Sequence, residues 1–259
     1  MIYSSGMNYC VRCSVLTALL VLATNVYGQE RCSEEVKLLL LPTQVQAAIP
    51  ALVARGETRG RVDFYDTPGL DLLAQGVILR LRESEEIDIT AKLRPVSGER
   101  IVDPSGGRER YKCEVDLNDG VEAQSYSVQR KYVSAKAPET GEGLYQLLTE
   151  GQKKLLEESK VAIDWKRVKR IAGIRSTSWT TKVEPPLGKL SMELWEWPGG
   201  SVLEISAKVT TDQGQVAYGE LRELAKANGL ALSGDQRSKT AIALKAINAG
   251  HRPSAKDDN

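Results

Sequence analysis

Val77-Ile78-Leu79-Arg80-Leu81-Arg82-Glu83 and Ile87-Asp88-Ile89-Thr90-Ala91-Lys92-Leu93-Arg94 read as strands and decide how this chain folds. Successive side chains of a strand point to opposite faces. Arg80 and Arg82 therefore share one face, and Leu79 and Leu81 share the other. Asp88, Thr90, Lys92 and Arg94 likewise oppose Ile87, Ile89, Ala91 and Leu93. The same alternation returns elsewhere. Lys112, Glu114 and Asp116 oppose Cys113, Val115 and Leu117. Glu204, Ser206 and Lys208 oppose Leu203, Ile205, Ala207 and Val209. Glu35 and Lys37 oppose Val36 and Leu38. Two architectures fit this pattern. One is an ordinary sheet with its charged face in water. The other is a closed barrel with charged faces lining a tunnel and helices packed on the apolar outside. Alternation alone leaves both open.

Working outward, Ser33–Leu41, Arg61–Tyr65, Tyr111–Leu117, Tyr126–Val133, Gly173–Val183, Lys189–Trp197 and Val202–Val209 also read as strands. The last two are joined by a Pro198-Gly199-Gly200 turn. Helices are expected over Thr43–Arg55, with Thr43 as its cap, and over Leu144–Lys160, Gln215–Asn228 and Ser238–Ala249. Residues 96–110, rich in Gly, Ser, Pro and charge, and Pro138–Gly143 read as loops. Residues 250–259 read as a disordered tail. Many strands with short turns and a few separate helices indicate an α+β fold in one domain over 29–249.

The chain has 259 residues, 35 Lys+Arg and 34 Asp+Glu. Its one histidine is His251, near the end of the chain. A Ser-His-Asp triad, a Cys-His pair and a His-ligated zinc all need an imidazole in the core, so these chemistries are excluded. The charge balance lacks the basic excess of a nucleic-acid binder. Residues 1–28 have the layout of a secretory signal peptide. Arg12 precedes an apolar run over 15–23, and Gly28 precedes a cut at Gln29. Cleavage there would leave the acidic and basic counts equal at 34. It would also remove Cys10 and Cys13, leaving Cys32 and Cys113. Two cysteines in an exported chain, periplasmic or extracellular, indicate one disulfide. Cys113 belongs to the apolar face of its strand, and Cys32 is in phase with Val36 and Leu38. The bond would therefore lie outside any tunnel. No membrane partner is expected after cleavage.

Arg61-Val62-Asp63-Phe64-Tyr65-Asp66-Thr67-Pro68-Gly69-Leu70-Asp71-Leu72, running on to Gly76-Val77-Ile78-Leu79-Arg80-Leu81-Arg82, is similar to the CYTH superfamily, the triphosphate tunnel metalloenzymes. That superfamily includes class IV adenylate cyclases, thiamine triphosphatases and inorganic triphosphatases. The resemblance covers most of residues 29–249 and implies an antiparallel eight-stranded β-barrel tunnel with helices packed outside. It implies phosphate binding by Lys37, Arg80, Arg82, Lys92, Arg175 and Lys239, with Arg170 and Lys182 competing for the place of Arg175. It implies Mg2+ or Mn2+ held by Glu35, Glu193 and Glu204, with Glu35 and Glu204 as catalytic carboxylates. Glu114 and Asp116 would add inward carboxylates. The family's opening Glu-x-Glu-x-Lys reads here Ser33-Glu34-Glu35-Val36-Lys37, and its later Glu-x-Glu reads Glu204-Ile205-Ser206. Ser33 and Ser206 thus replace carboxylates, while the basic set is kept.

These residue types suit one chemistry. Guanidinium forks bind phosphate oxygens in pairs, and lysines add point charge. Carboxylates hold hard divalent ions that bridge phosphates. The expected function is an exported metal-dependent hydrolase of a triphosphate- or polyphosphate-containing small molecule. The alternative is a non-catalytic binder of polyphosphate or another organic polyanion, with a depleted metal site.

Overall fold

The fold is described from a computed structural model. It describes residues 1, 32–84, 86–94, 109–132, 136–210 and 212–251. The expected signal segment and most of loop 96–110 lie outside the described residues. So does the tail beyond residue 251.

The alternating segments form strands β1 (Ser33–Leu40), β2 (Arg55–Asp66), β3 (Val77–Glu83), β4 (Ile87–Leu93), β5 (Glu109–Asn118), β6 (Val121–Tyr132), β7 (Lys169–Lys182), β8 (Lys189–Trp197) and β9 (Gly200–Val209). They close into a barrel in the order β1-β5-β6-β4-β3-β2-β7-β8-β9. The fold is therefore a barrel within the α+β class, with two differences from expectation. All nine strands join it, rather than eight, and β1 runs parallel to β5 while its other neighbour β9 is antiparallel. By inserting between β9 and β5, β1 satisfies both backbone edges, so neither is left open. The β8–β9 turn requires Gly200, because a Cβ there would lie 2.8 Å from the Trp197 ring.

The helices are α1 (Val45–Ala51), α2 (Asp71–Ala74), α3 (Gly141–Leu147), α4 (Glu150–Glu158), α5 (Gly214–Ala227) and α6 (Lys239–His251). Four expectations are corrected here. Pro42–Gln44 forms a 3-10 turn before α1, no side chain caps α1, and Arg55 already belongs to β2. The helix expected over Leu144–Lys160 is two helices. Leu148 is extended (φ −68°, ψ 137°), and Thr149 and Gln152 form a reciprocal capping box that starts α4 afresh. α3 begins inside the expected loop Pro138–Gly143. α6 runs to His251, into the expected tail. Among the described residues no helix is long and apolar enough to cross a membrane.

The outward apolar faces explain where the helices sit. Ala217, Leu221 and Ala225 of α5 pack on Val36, Leu38, Met192, Ile205 and Ala207. Leu144 of α3 and Leu155 and Leu156 of α4 pack on Leu79, Leu81, Ile89, Ala91 and Val128. Buried Gln152 ties α4 to the sheet by donating to the Ile89 and Val128 carbonyls at 2.8 and 3.2 Å. A third cluster fills one end of the barrel. There the inward residues Leu39, Val62, Phe64 and Trp195 pack against Ala243, Leu244 and Ile247 of α6. This packing places the start of α6, and hence Lys239, against the lumen.

Candidate functional site

Polar residues on the inward faces surround a cavity of about 350 Å3. Cross-strand register shows why they share a face: Phe64 and Thr90 flank Arg80, Glu35 lies between Asp116 and Lys208, and Glu193 lies opposite Glu204. Lys37, Arg80, Arg82, Lys92, Arg94, Lys112, Lys208 and Lys239 line the cavity, with Glu35, Glu114, Glu193 and Glu204. Among the described residues, eight cations thus meet four carboxylates. Asp116 lies beside them, fully buried. Asp88, next along the β4 face, accepts a hydrogen bond from the Thr90 hydroxyl at 2.9 Å.

The charges form two groups. In one, Asp116 is ion-paired to Lys37 (2.7 Å), Arg94 (3.0 Å) and Lys92 (3.5 Å). Lys37 also reaches Glu35 at 3.2 Å, Lys92 lies 3.7 Å from Glu114, and Lys208 pairs with Glu114. In the other, Lys239 pairs with both Glu193 and Glu204, at 2.7 Å from the latter. Glu193 also accepts from Arg82 at 2.9 Å and from the Ser176 hydroxyl at 2.7 Å.

Arg80 belongs to neither group. Its guanidinium donates to Thr90 Oγ1 at 3.3 Å, and no carboxylate pairs with it among the described residues. Its Nε is buried without a hydrogen-bond partner. Lys112 also lacks a carboxylate within ion-pair distance among the described residues.

Burial and these neighbours shift the titrations. Burial and then the adjacent Arg82 push the Arg80 guanidinium down to about 10. Burial also lowers Lys92 and Lys112. Burial opposes the Lys37 charge, yet Glu35 and Asp116 more than offset it, and its pKa is raised. Lys239 is raised in the same way by Glu193 and Glu204, against its burial. Burial would lift the Glu193 and Asp116 carboxyls, but the cations around them hold both well below the usual range. Among the described residues, cationic charge that is not ion-paired to a carboxylate is therefore concentrated at Arg80 and Lys112, which feel Glu114 and, for Arg80, Asp88 and Glu193 only at longer range.

Of the residues singled out in the sequence, Glu35, Lys37, Arg80, Arg82, Lys92, Glu193, Glu204 and Lys239 all line the cavity. Arg175 does not. Its side chain points outward and lies 3.9 Å from Glu196. The cause is an irregularity in β7. Phe64 pairs with Ile171, but Val62 pairs with Ile174, and Gly173 between them has φ +103°. The extra residue flips the strand's phase. Ser176 and Ser178 then face the lumen where Arg175 was expected. Of its competitors, Arg170 binds Asp63 and Glu139 outside the barrel, and Lys182 is exposed at the strand end. Arg94, Lys112, Lys208 and Ser176 were not singled out, although alternation alone puts the first three on the charged faces.

The Tyr65-Asp66-Thr67-Pro68 motif builds a turn beside the barrel. Asp66 accepts the backbone N–H groups of Thr67, Leu72 and Leu73 at 2.7–2.9 Å, and Tyr65 donates to the Pro138 carbonyl at 2.8 Å. Cys32 and Cys113 are disulfide-bonded on the outer face, with Cα atoms 4.6 Å apart.

The three carboxylates expected to hold a metal do not come together. Glu204 stands opposite Leu39, and Glu35 is four residues back along β1, roughly 13 Å at strand rise. Among the described residues no three His, Cys, Asp or Glu side chains gather as a metal-binding group. The donor set as placed does not fit a Mg2+ or Mn2+ centre built on Glu35, Glu193 and Glu204.

No protein-family model and no curated protein matches the chain. Solved structures do. One is HpAC1 from Hippeastrum, a provisional adenylyl cyclase described as having a dominant triphosphatase activity. The two are 21% identical, the match covers 82% of this chain and 95% of that one, and the TM-score is 0.57. Another is a provisionally assigned adenylate cyclase from Bacillus halodurans. It is 14% identical, with 82% and 97% of the two chains covered and a TM-score of 0.51. The closed barrel and these likenesses agree: the chain shares the barrel fold of these two structures.

Proposed function

We propose that the barrel lumen binds a linear triphosphate or short polyphosphate. The observation that carries this reading is Arg80, a half-buried guanidinium whose enclosed Nε has no hydrogen-bond partner and which has no carboxylate partner among the described residues, set in a cavity where cations outnumber carboxylates. A buried charge without a counter-ion is costly. A multiply charged phosphate chain supplies that counter-charge along the length of the cavity. Arg80 would fork onto its oxygens, Arg82 beside it would supply a further N–H, and Lys37, Lys92 and Lys112 would add charge.

Hydrolysis of the bound anhydride is the second reading, and the likeness to a protein described as a triphosphatase favours it. In that reaction water forms a new P–O bond, the bridging P–O bond breaks, and the cations stabilise the leaving phosphate. Glu35 and Glu204 stand at separate places along the cavity, so one of them, Glu204 beside Lys239 or Glu35 beside Lys37, is proposed to orient the water and accept its proton. The family resemblance adds Mg2+ or Mn2+; the donor set here does not support a step through either. Cys32–Cys113 supports the reading of an exported chain, with Gln29 expected at the mature N-terminus by intact-mass measurement.

Titration calorimetry with tripolyphosphate, beside an assay of released phosphate in Mg2+ and in Mn2+, tests both readings. Binding with no release supports a binder, and release supports the hydrolase. Absence of binding and of release overturns both.

A further inference from the structure

Glu193 and Glu204 are cross-strand partners with a shared cation between them, and that cation is the ammonium of Lys239. Two adjacent inward carboxylates are where an oxygen-preferring divalent ion would sit. Here a lysine has the place, and the fold holds it there. Lys239 is the first residue of α6, whose apolar face is buried against Leu39, Phe64 and Trp195. Its Nζ lies 4.8 Å from the Trp195 ring centroid, so the ring face adds attraction. Arg82 and Ser176 take up further oxygen capacity on Glu193.

Among the described residues no third carboxylate joins this pair to complete an ion's shell. Ser206, two residues from Glu204 on the same face, is a neutral hydroxyl. Glu35 is already held by Lys37, away from the pair. A divalent ion arriving at Glu193 and Glu204 would have to displace one ammonium and sit beside the Arg82 guanidinium. Both conditions oppose it by like-charge repulsion.

We propose that Lys239 stands in for a divalent ion, so that the tunnel holds its phosphate ligand without a metal. The fixed charges of Lys239 and Arg82 together balance the two carboxylates and leave Arg80 and Lys112 to meet the anion. This rests on the phosphate-binding reading above and assigns that site its cation.

The test uses Mn2+ alone, followed by the relaxation of water protons, on the wild-type protein and on Lys239→Met. Wild type is expected to leave Mn2+ free into the millimolar range. Lys239→Met exposes two carboxylates without their ammonium and should bind Mn2+ at least tenfold more tightly. Tripolyphosphate should bind wild type with Kd values within twofold of each other in EDTA and in Mg2+. Tight Mn2+ binding by wild type without any anion overturns the proposal. So does a tenfold loss of tripolyphosphate affinity on chelation, or an unchanged Mn2+ affinity in a folded Lys239→Met protein. If that variant does not fold, the two wild-type measurements decide. Failure of tripolyphosphate to bind at all, with the Mn2+ results as expected, would sink the phosphate reading and leave the lysine-for-metal assignment standing.

Discussion

Lys37 and Asp116 meet diagonally across the parallel β1–β5 pair. Lys37 is in register with Asn118, yet its ammonium reaches back to Asp116 at 2.7 Å. Asp116 is fully buried and also holds Arg94 and Lys92. One carboxylate thus sets the position of three lumen cations that come from distant parts of the chain.

Removing that charge should be costly. Asp116→Asn leaves three half-buried cations without their shared, fully buried partner. The expected loss is about 3–5 kcal/mol, the range for breaking a buried ion pair from one side. Urea unfolding at pH 7 measures it. A loss below about 1 kcal/mol, the ceiling for a solvated surface pair, would show that the network is not desolvated.

The lowered Asp116 and Glu193 carboxyls fix a direction with pH. A carboxyl whose folded pKa lies below its unfolded value adds stability above the unfolded value. It loses that stability as pH falls toward the folded one. Thermal midpoints should therefore be flat from pH 7 to about 5 and fall as pH drops below about 4. Asp116→Asn should show a shallower fall in a pH series of melting curves; an equal slope argues against the shift.

Arg80 and Arg175 form a matched pair of tests. Arg80→Gln should weaken tripolyphosphate binding roughly 10–100-fold, the equivalent of about 1.5–3 kcal/mol for a charge-assisted bond. Arg175→Gln removes the same charge from the outer surface and should change affinity less than twofold. Calorimetry on both variants at one ionic strength decides. Equal losses would mean the cavity is not where the anion binds.

The disulfide is expected to be structural only. Cys32 and Cys113 are 81 residues apart. Reduction or Cys113→Ser should cost about 4 kcal/mol in the chain-entropy description. Because the bond sits on the outer face, tripolyphosphate affinity well below the melting temperature should not change. A selective loss of affinity in a folded reduced protein would contradict this placement.

Asp66→Ala separates the conspicuous motif from the site. It removes the acceptor of three backbone N–H groups. Destabilisation of about 1–3 kcal/mol is expected from the unsatisfied donors, with anion affinity unchanged. A large affinity loss in a still-folded variant would move Asp66 into the binding machinery.

The alternation of β3 and β4 was enough to place Arg80, Arg82 and Lys92 on one face, because strand phase is a local property with period two. The limits Val77–Glu83 and Lys189–Trp197 were read correctly for the same reason. The Leu144–Lys160 helix was not, because the cap at Thr149 competes with a continuous apolar repeat. Arg175 was misplaced because the added residue near Gly173 is visible only in the pairing of β7 with β2.

Residue chemistry and, outside the bulged β7, the face each strand side chain takes were therefore readable along the chain, since both depend on neighbours two or four residues apart. The meeting of Lys239 with Glu193 and Glu204, and of Asp116 with Lys37 and Arg94, was not. Those pairs join strands and a helix far apart in sequence. Their register depends on how nine twisted strands close into one barrel, with one parallel pair and the register shifts between β2 and β7. A shift of one residue would send the same charges into solvent, so which cation answers which carboxylate is a property of the closed barrel.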